Sequence, residues 1–332
     1  MSDREHLLRE WLATVLPAPL SRIAPASSDA SFRRYFRVWY DGQTRVVMDA
    51  PPDKEDCRPF VAIAQALRGL GLNAPEVLAG DLDLGLLLLT DLGNRQYLAE
   101  LDADSAPSLY SDALAALARL QTGGDPGSML LPPYDLALLH REMELFRDWF
   151  LGQLLGLNVR EDEHHVLDSI VALLADNALE QPRVWVHRDY HSRNLMITDR
   201  DNPGVLDFQD AVVGAVTYDL VSLLRDCYVA WPRPQVEAWA LEHRARLQAL
   251  GMSGLDDAGQ FLRWFDLMGV QRHLKAIGIF VRLNLRDGKP GYLRDIPRTL
   301  GYVLEVAGRY SELAGLHDLL RARGVDCWQP AP

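Results

Sequence analysis

The sequence predicts an α+β fold in two lobes, a small β-rich lobe first and a larger, mainly helical lobe after it. Three observations lead there. Apolar stretches bounded by Gly, Pro, Asp and Ser crowd the region up to Gly93, as short strands do. Beyond Ser105, apolar residues recur at helical spacing over long segments. At 332 residues, 48% of them hydrophobic, the chain is long enough to bury two cores. Runs of strands followed by runs of helices are the pattern of segregated α+β architecture.

The elements follow in order. Ser2-Asp3-Arg4-Glu5 reads as a capping box, and Leu7, Leu8, Trp11, Leu12 and Val15 follow on one helical face. Pro17 and Pro19 end that helix. Strands are expected over 32–40 and 45–50, joined by a tight Asp41-Gly42 turn. A helix over 55–70 buries Phe60, Ile63, Ala64 and Leu67. Gly71 stops it, and strands at 75–78 and 84–89 come next. The polar stretch 90–94, Thr90-Asp91-Leu92-Gly93-Asn94, marks a boundary, dividing the chain into 1–93 and 94–332. Helices are expected over 105–121, 135–155, 162–178, 217–230, 234–250, 257–286 and 298–323. No internal repeat or low-complexity tract interrupts them.

Composition narrows the function. With 34 Lys and Arg against 46 Asp and Glu, the net charge is −12, which argues against a general nucleic-acid binder. Lysine occurs only at 54, 275 and 289. Three widely spaced cysteines without a C-x-x-C pair point to reduced thiols rather than a disulfide or metal framework. No signal peptide or membrane-length apolar run is visible, so a soluble cytoplasmic protein without membrane partners is expected. The sequence sets no oligomeric state.

The densest polar pattern is His187-Arg188-Asp189-Tyr190-His191-Ser192-Arg193-Asn194, followed by Asp207-Phe208. Read as H-R-D-x-x-x-x-N and then Asp-Phe, it matches the catalytic loop and metal-binding Asp of the kinase template, with Gln209 where that template has Gly. Phosphoryl transfer from ATP needs a carboxylate to orient the attacking hydroxyl and accept its proton, and oxygen ligands to hold Mg²⁺ on the phosphates. Asp189 is the candidate base, and Asn194 and Asp207 are the candidate metal ligands. Apolar runs on both sides suit short strands that present a rigid loop. A bilobal, protein-kinase-like arrangement follows.

In that frame, 27–31 occupies the place of a phosphate-covering loop. It lacks the usual glycines but offers the hydroxyls of Ser28 and Ser31; an ordinary serine-rich turn is the competing reading. Met48 stands where the template puts its phosphate-pairing Lys, and the helix over 55–70 has no carboxylate in its middle to complete the usual ion pair. Arg33 or Arg34 is the candidate substitute. Thr90, Asp91 and Leu92 take the place of the hinge that meets adenine. Asp219 is read as supporting the Asp189 loop by accepting from its backbone, and His187 as a hydrogen-bonded structural residue. Asp210 is a further carboxylate beside the site. Tyr228 and Trp231 are candidates for lining a sugar site. Eight basic residues against three acidic ones over 263–298, Arg272 among them, suggest a field for an anionic substrate.

The motifs at 187–194, 206–211 and 218–220 together resemble the aminoglycoside phosphotransferase-like family of small-molecule kinases, over most of the chain from Ser27 to about Arg298. The segments 29–35 and 271–280, the latter containing Arg272 and His273, resemble one branch of that family, the anomeric sugar kinases of bacterial cell-wall recycling. The resemblance implies ATP- and Mg²⁺-dependent phosphorylation of the anomeric hydroxyl of N-acetylmuramate and N-acetylglucosamine to the α-1-phosphate, on the way to UDP-sugars, with Arg272 and His273 as candidate substrate contacts. Its partner is thus a small amino sugar. Kinases for an aminoglycoside, an amino alcohol or homoserine, and a nucleotide-binding regulatory module without catalysis, are the alternatives.

Overall fold

Five antiparallel strands organise the first part of the chain in the computed structural model, which describes residues 3–27 and 32–330. They are β1 (Arg22–Ser27), β2 (Arg34–Tyr40), β3 (Gln43–Asp49), β4 (Val77–Asp81) and β5 (Leu86–Thr90), in the order β1-β2-β3-β5-β4. Asp41 and Gly42, at φ 46° and 70°, form the two-residue turn between β2 and β3; the left-handed pair matches the twist of the hairpin. Helix α1 (Asp3–Val15) lays Leu8, Trp11 and Leu12 on Val38, Tyr40, Val47, Leu86 and Leu88. Helix α2 (Arg58–Gly69) buries Phe60, Ile63, Ala64 and Leu67, the face its spacing predicts. Ser2, of the expected capping box, and Ser28 and Ser31 lie outside the described residues.

Strand β1 is absent from the sequence expectation. Pro25 lacks an amide and argues against a strand, yet β1 is an edge strand with a register shift between Pro25 and Ser27, the setting in which proline is tolerated. The expected strand over 32–40 begins at Arg34, with Phe32 exposed outside it.

The chain forms two compact units, Met1–Ala113 with Asn194–Gln209, and Leu114–Arg193 with Asp210–Pro332. The first adds α3 (Tyr97–Glu100) and a small hairpin of β7 (Leu195–Met196) and β8 (Gly204–Val205) to its sheet. The boundary falls within α4 (Ala106–Gly123). The second unit is helical: α5 (Leu136–Leu145), α6 (Glu161–Leu179), α7 (Tyr218–Leu224), α8 (Arg233–Ala249), α9 (Ala258–Leu285), α10 (Ile296–Ala307) and α11 (Ala314–Ala322). One short ribbon, β6 (Arg183–Val186) paired with β9 (Val212–Ala215), runs among them. The fold class is α+β.

Three helices differ from expectation. The segment 135–155 is α5 followed by a π-helical stretch, Phe146–Leu154. There α9 comes in so closely that a Cβ on Gly278 would lie 2.4 Å from the Leu145 carbonyl. The helix expected over 217–230 stops at Leu224, where Arg225 leaves helical geometry. The one expected over 298–323 is two helices separated by a tighter turn at Ser311–Leu313. Among the described residues, no helix is long and apolar enough to cross a membrane.

Candidate active site

The loop 187–193 leaves β6 at Val186, whose neighbour across the ribbon is Val212; both are buried, which gives the loop a fixed base. Two carboxylates then hold its backbone. Asp219, in the first turn of α7 and fully buried, accepts from the amides of His187 (2.6 Å) and Arg188 (2.9 Å). Asp226 accepts from the Ser192 amide (3.0 Å) and hydroxyl (2.6 Å). The Asp189 amide points to His187 Nδ1 at 3.3 Å. Arg188 sits at φ 76°, a left-handed conformation that costs a non-glycine residue about 1–2 kcal/mol and so needs such support.

The Arg188 side chain is anchored from elsewhere. Its guanidinium pairs with Glu142 of α5, and its Nη1 reaches the Asp210 carbonyl at 3.3 Å. Glu142 also pairs with Lys275 of α9 at 3.2 Å and accepts from the Tyr134 hydroxyl. Gln271 donates to that hydroxyl (2.9 Å), and Lys275 donates to the Tyr218 hydroxyl (3.0 Å). Burial alone would raise the Glu142 carboxyl, but Lys275 and Arg188 outweigh it and keep the group ionised.

Electrostatics separate the two aspartates of the loop region. Burial would raise Asp189, yet Lys275, His191, Arg272 and Arg188 together hold it below its ordinary value, ready to accept a proton but ionised at rest. Burial pushes Asp219 up to about 6, with His187 and the two amides pulling the other way.

In the first unit, Asn194 leads into β7 and Asp207 follows β8, so the hairpin brings them together. Leu206 donates its amide to the Asn194 carbonyl (2.9 Å), and Asn194 Nδ2 lies 3.3 Å from Asp207 Oδ2. Asp207 adopts φ 64°, and Gln209 Nε2 donates to its Oδ1 at 2.7 Å. Phe208, fully buried, packs on Phe60 of α2 with ring centroids 4.8 Å apart. Asn194 turns its amide nitrogen toward Asp207; the amide oxygen and the carboxylate are both hard donors of the kind Mg²⁺ takes.

The other sequence candidates fall into distinct places. Arg33 pairs with Glu55 at 3.0 Å, and Arg34 with the buried Asp49. Met48 is fully buried in β3, between Tyr35 and Leu87 in register. Thr90 accepts from the Glu76 amide (2.9 Å), Asp91 takes a two-pronged bond from Arg37 (2.7 and 2.9 Å), and Leu92 packs over Gly204. In the second unit, Tyr228 stands edge-on to His191 at 5.4 Å, whereas Trp231 packs on Trp239 at 5.8 Å, and Asp210 is exposed. Arg272 and His273 are buried in α9; Arg272 Nη1 lies 3.7 Å from Cys227 Sγ, and His273 Nε2 is 2.8 Å from the Arg225 carbonyl. Burial and the neighbouring Arg272 push His273 down to about 3, so it is neutral at pH 7.

The 263–298 segment does not present one basic face. Arg263 pairs with Glu312, Lys275 with Glu142, Arg286 with Asp287, and Arg298 with Asp295. Sequence reasoning missed Glu142 and Asp226, because neither belongs to a motif and each meets the loop from a distant part of the chain.

Comparison with known proteins gives the family. Residues 22–263 match the phosphotransferase enzyme family, APH. An N-acetylmuramate/N-acetylglucosamine kinase of Pseudomonas putida is 50% identical over 302 residues, 91% of this chain and 88% of its own. A Pseudomonas aeruginosa protein of the same name is 48% identical over 333 residues, 96% of this chain and 97% of its own. Among solved structures, ADP-bound aminoglycoside phosphotransferase APH(2'')-Ib superposes with a TM-score of 0.60 at 16% identity, over 92% of this chain and 99% of its own, a likeness of fold. The chain belongs to the phosphotransferase enzyme family.

Proposed function

We propose that this protein is an ATP-dependent kinase that phosphorylates the anomeric hydroxyl of N-acetylmuramate and N-acetylglucosamine, giving the α-1-phosphate. The observation that carries this reading is 50% and 48% identity, over nearly the whole chain, to two proteins bearing that substrate name. Such a product lies on a route from recycled cell-wall sugars to UDP-sugars, a cytoplasmic setting where ATP is at hand. Residues 1–93 serve as the nucleotide-binding lobe and 94–332 as the catalytic and substrate-binding lobe.

Asp189 orients the anomeric hydroxyl and accepts its proton. The hydroxyl oxygen forms the new O–P bond to the γ-phosphorus, the bond from that phosphorus to the β–γ bridging oxygen breaks, and ADP leaves. An anomeric hydroxyl is more acidic than an ordinary alcohol, so a carboxylate held below its usual pKa range suffices, and positioning carries most of the work. Asn194 and Asp207 would hold Mg²⁺, which neutralises charge on the phosphates. Ser28, Ser31, Arg33, Met48, Thr90, Asp91 and Leu92 form the nucleotide side; Arg33, steadied by Glu55, supplies the positive charge that the template assigns to a strand lysine. Asp210, Tyr228 and Trp231 serve the sugar side, with Arg272 and His273 shaping it from beneath. His187 and Asp219 support the loop.

The decisive experiment is ³¹P NMR of the protein with MgATP and each sugar. A new phosphomonoester resonance coupled to the anomeric proton is expected. A resonance coupled to another position would reject the anomeric assignment, and no product with either sugar would reject the substrate class.

A pH dependence follows from Asp219. Its carboxyl titrates at about 6; above that it is ionised and accepts from both loop amides, and below it one oxygen becomes a proton donor. Turnover is therefore expected to fall as pH drops through 6, with Asp189 itself titrating lower. A pH–kcat profile that stays flat from 7 to 5 would contradict this role.

A further inference from the structure

The five-stranded sheet of the first unit has two faces, and α1 covers one of them. Val38, Tyr40, Val47, Leu86 and Leu88 lie on the covered face, against Leu8, Trp11 and Leu12. Residues that alternate with these point the other way: Arg37 on β2, its partner Val46 on β3, and Val46's partner Leu89 on β5. Asp91, two residues past Leu89, leaves β5 on that same face. An arginine on β2 can therefore reach across Val46 to the turn that follows β5, and Arg37 does so.

The contact is a clasp on the turn rather than a single ion pair. Arg37 Nε donates to Asp91 Oδ2 at 2.7 Å, and its Nη2 donates to Asp91 Oδ1 at 2.9 Å and to the Gly93 carbonyl at 2.6 Å. Asp91 Oδ1 also accepts from the Gly93 amide at 3.0 Å, and Gly93 holds φ 86°, a conformation that glycine adopts freely. The Asp91 side chain is 6% exposed and that of Arg37 19%, so salt and water screen the pair little. On the strand side, Thr90 is tied to Glu76 through its amide (3.0 Å) and its hydroxyl (2.9 Å).

These bonds bracket Leu92. Both carboxylate oxygens of Asp91 are engaged in the clasp, which directs that side chain to Arg37. The Leu92–Gly93 peptide is trans and planar, so with the Gly93 N–H directed at Asp91 the Leu92 carbonyl points the opposite way. Adenine presents an N–H donor at its 6-position, whereas hypoxanthine presents a carbonyl oxygen there. A carbonyl of fixed direction accepts from the first and repels the second, and holding it in place beforehand reduces the ordering cost of binding.

We propose that Arg37 is a positioning residue for the nucleotide base: by clasping Asp91 and Gly93 it sets the Leu92 carbonyl as an acceptor for a 6-amino purine and so selects ATP over 6-oxo purine nucleotides. This rests on the kinase reading above, in which 90–92 meets adenine. Asp91 then acts through the shape of the turn, and the base is read by the main chain.

Titration calorimetry gives the Kd of MgATP and of MgITP for wild type, Arg37→Met and Arg37→Lys. Wild type is expected to favour ATP. In Arg37→Met the Kd for ATP should rise roughly 10-fold, the size of one hydrogen bond lost with its fixed acceptor, while that for ITP changes much less. Arg37→Lys keeps a charge beside Asp91 but cannot span both of its oxygens and the Gly93 carbonyl. It guards against a folding defect in Arg37→Met and should fall in between. In turnover, KM for ATP should follow Kd, with KM for N-acetylglucosamine unmoved. Equal losses for ATP and ITP, the mark of an ion pair that only stabilises the fold, would overturn the proposal. So would a wild type that binds the two alike, or variants whose affinity for ATP is unchanged. Wild type that selects ATP yet phosphorylates neither sugar would instead overturn the sugar-kinase reading, since the Kd comparison involves no sugar.

Discussion

Asp189→Asn is expected to lower kcat by about 10²- to 10⁴-fold, the usual span for a lost general base, while the Kd for MgATP stays near wild type. The substitution keeps the size of the side chain and removes its ability to take a proton. Four groups, Lys275, His191, Arg272 and Arg188, hold the Asp189 carboxyl below its ordinary value, so the wild-type group is ionised throughout the neutral range and no pH adjustment rescues the Asn variant. Single-turnover kinetics and nucleotide titration separate the two effects. A parallel loss of turnover and nucleotide binding would show that Asp189 acts on the nucleotide rather than as the base.

Glu142→Ala is expected to destabilise the protein by about 3–5 kcal/mol, the range for removing one partner of a buried ion pair. The cost arises because two cations remain. Arg188 and Lys275, with side chains 18% and 9% exposed, would both lose their carboxylate, and the Tyr134 hydroxyl its acceptor. Urea unfolding measures the loss. Pairing the change with Lys275→Met should recover part of it, since one stranded charge is then gone, and the double-mutant cycle gives the coupling. A loss below about 1 kcal/mol would mean that water reaches the pair and screens it. Turnover should fall as well, because Arg188 at φ 76° sits directly before Asp189 in the chain.

Both predictions concern one loop, but they differ in how far the sequence foretold them. Asp189, Asn194 and Asp207 stand out as residues at fixed spacing. Asp219 is legible too, as a carboxylate opening a helix a short distance on. Glu142 and Asp226 are not: they meet Arg188 and Ser192 across 46 and 34 residues, and nothing local marks them. The same division runs through the fold. The buried face of α2 and the Asp41-Gly42 turn depend on neighbours within a few residues, and both appear as the spacing predicts. Strand β1 is hidden by Pro25, which only its edge position makes acceptable. The π-helical stretch at Phe146–Leu154 and the early end of α7 likewise escape a reading based on period alone.

The basic segment shows the limit most clearly. As a sequence, 263–298 is an excess of positive charge; in the folded chain, several of its cations are consumed by Glu142, Asp287, Asp295 and Glu312. The sequence by itself determined the α+β class and the family resemblance, and marked the Asp189 loop as the candidate site, because these depend on residue type and short spacing. The tertiary structure alone decided which charges are neutralised and which carboxylates hold the loop. Those depend on contacts between distant parts of the chain, where burial turns a weak surface attraction into a strong constraint.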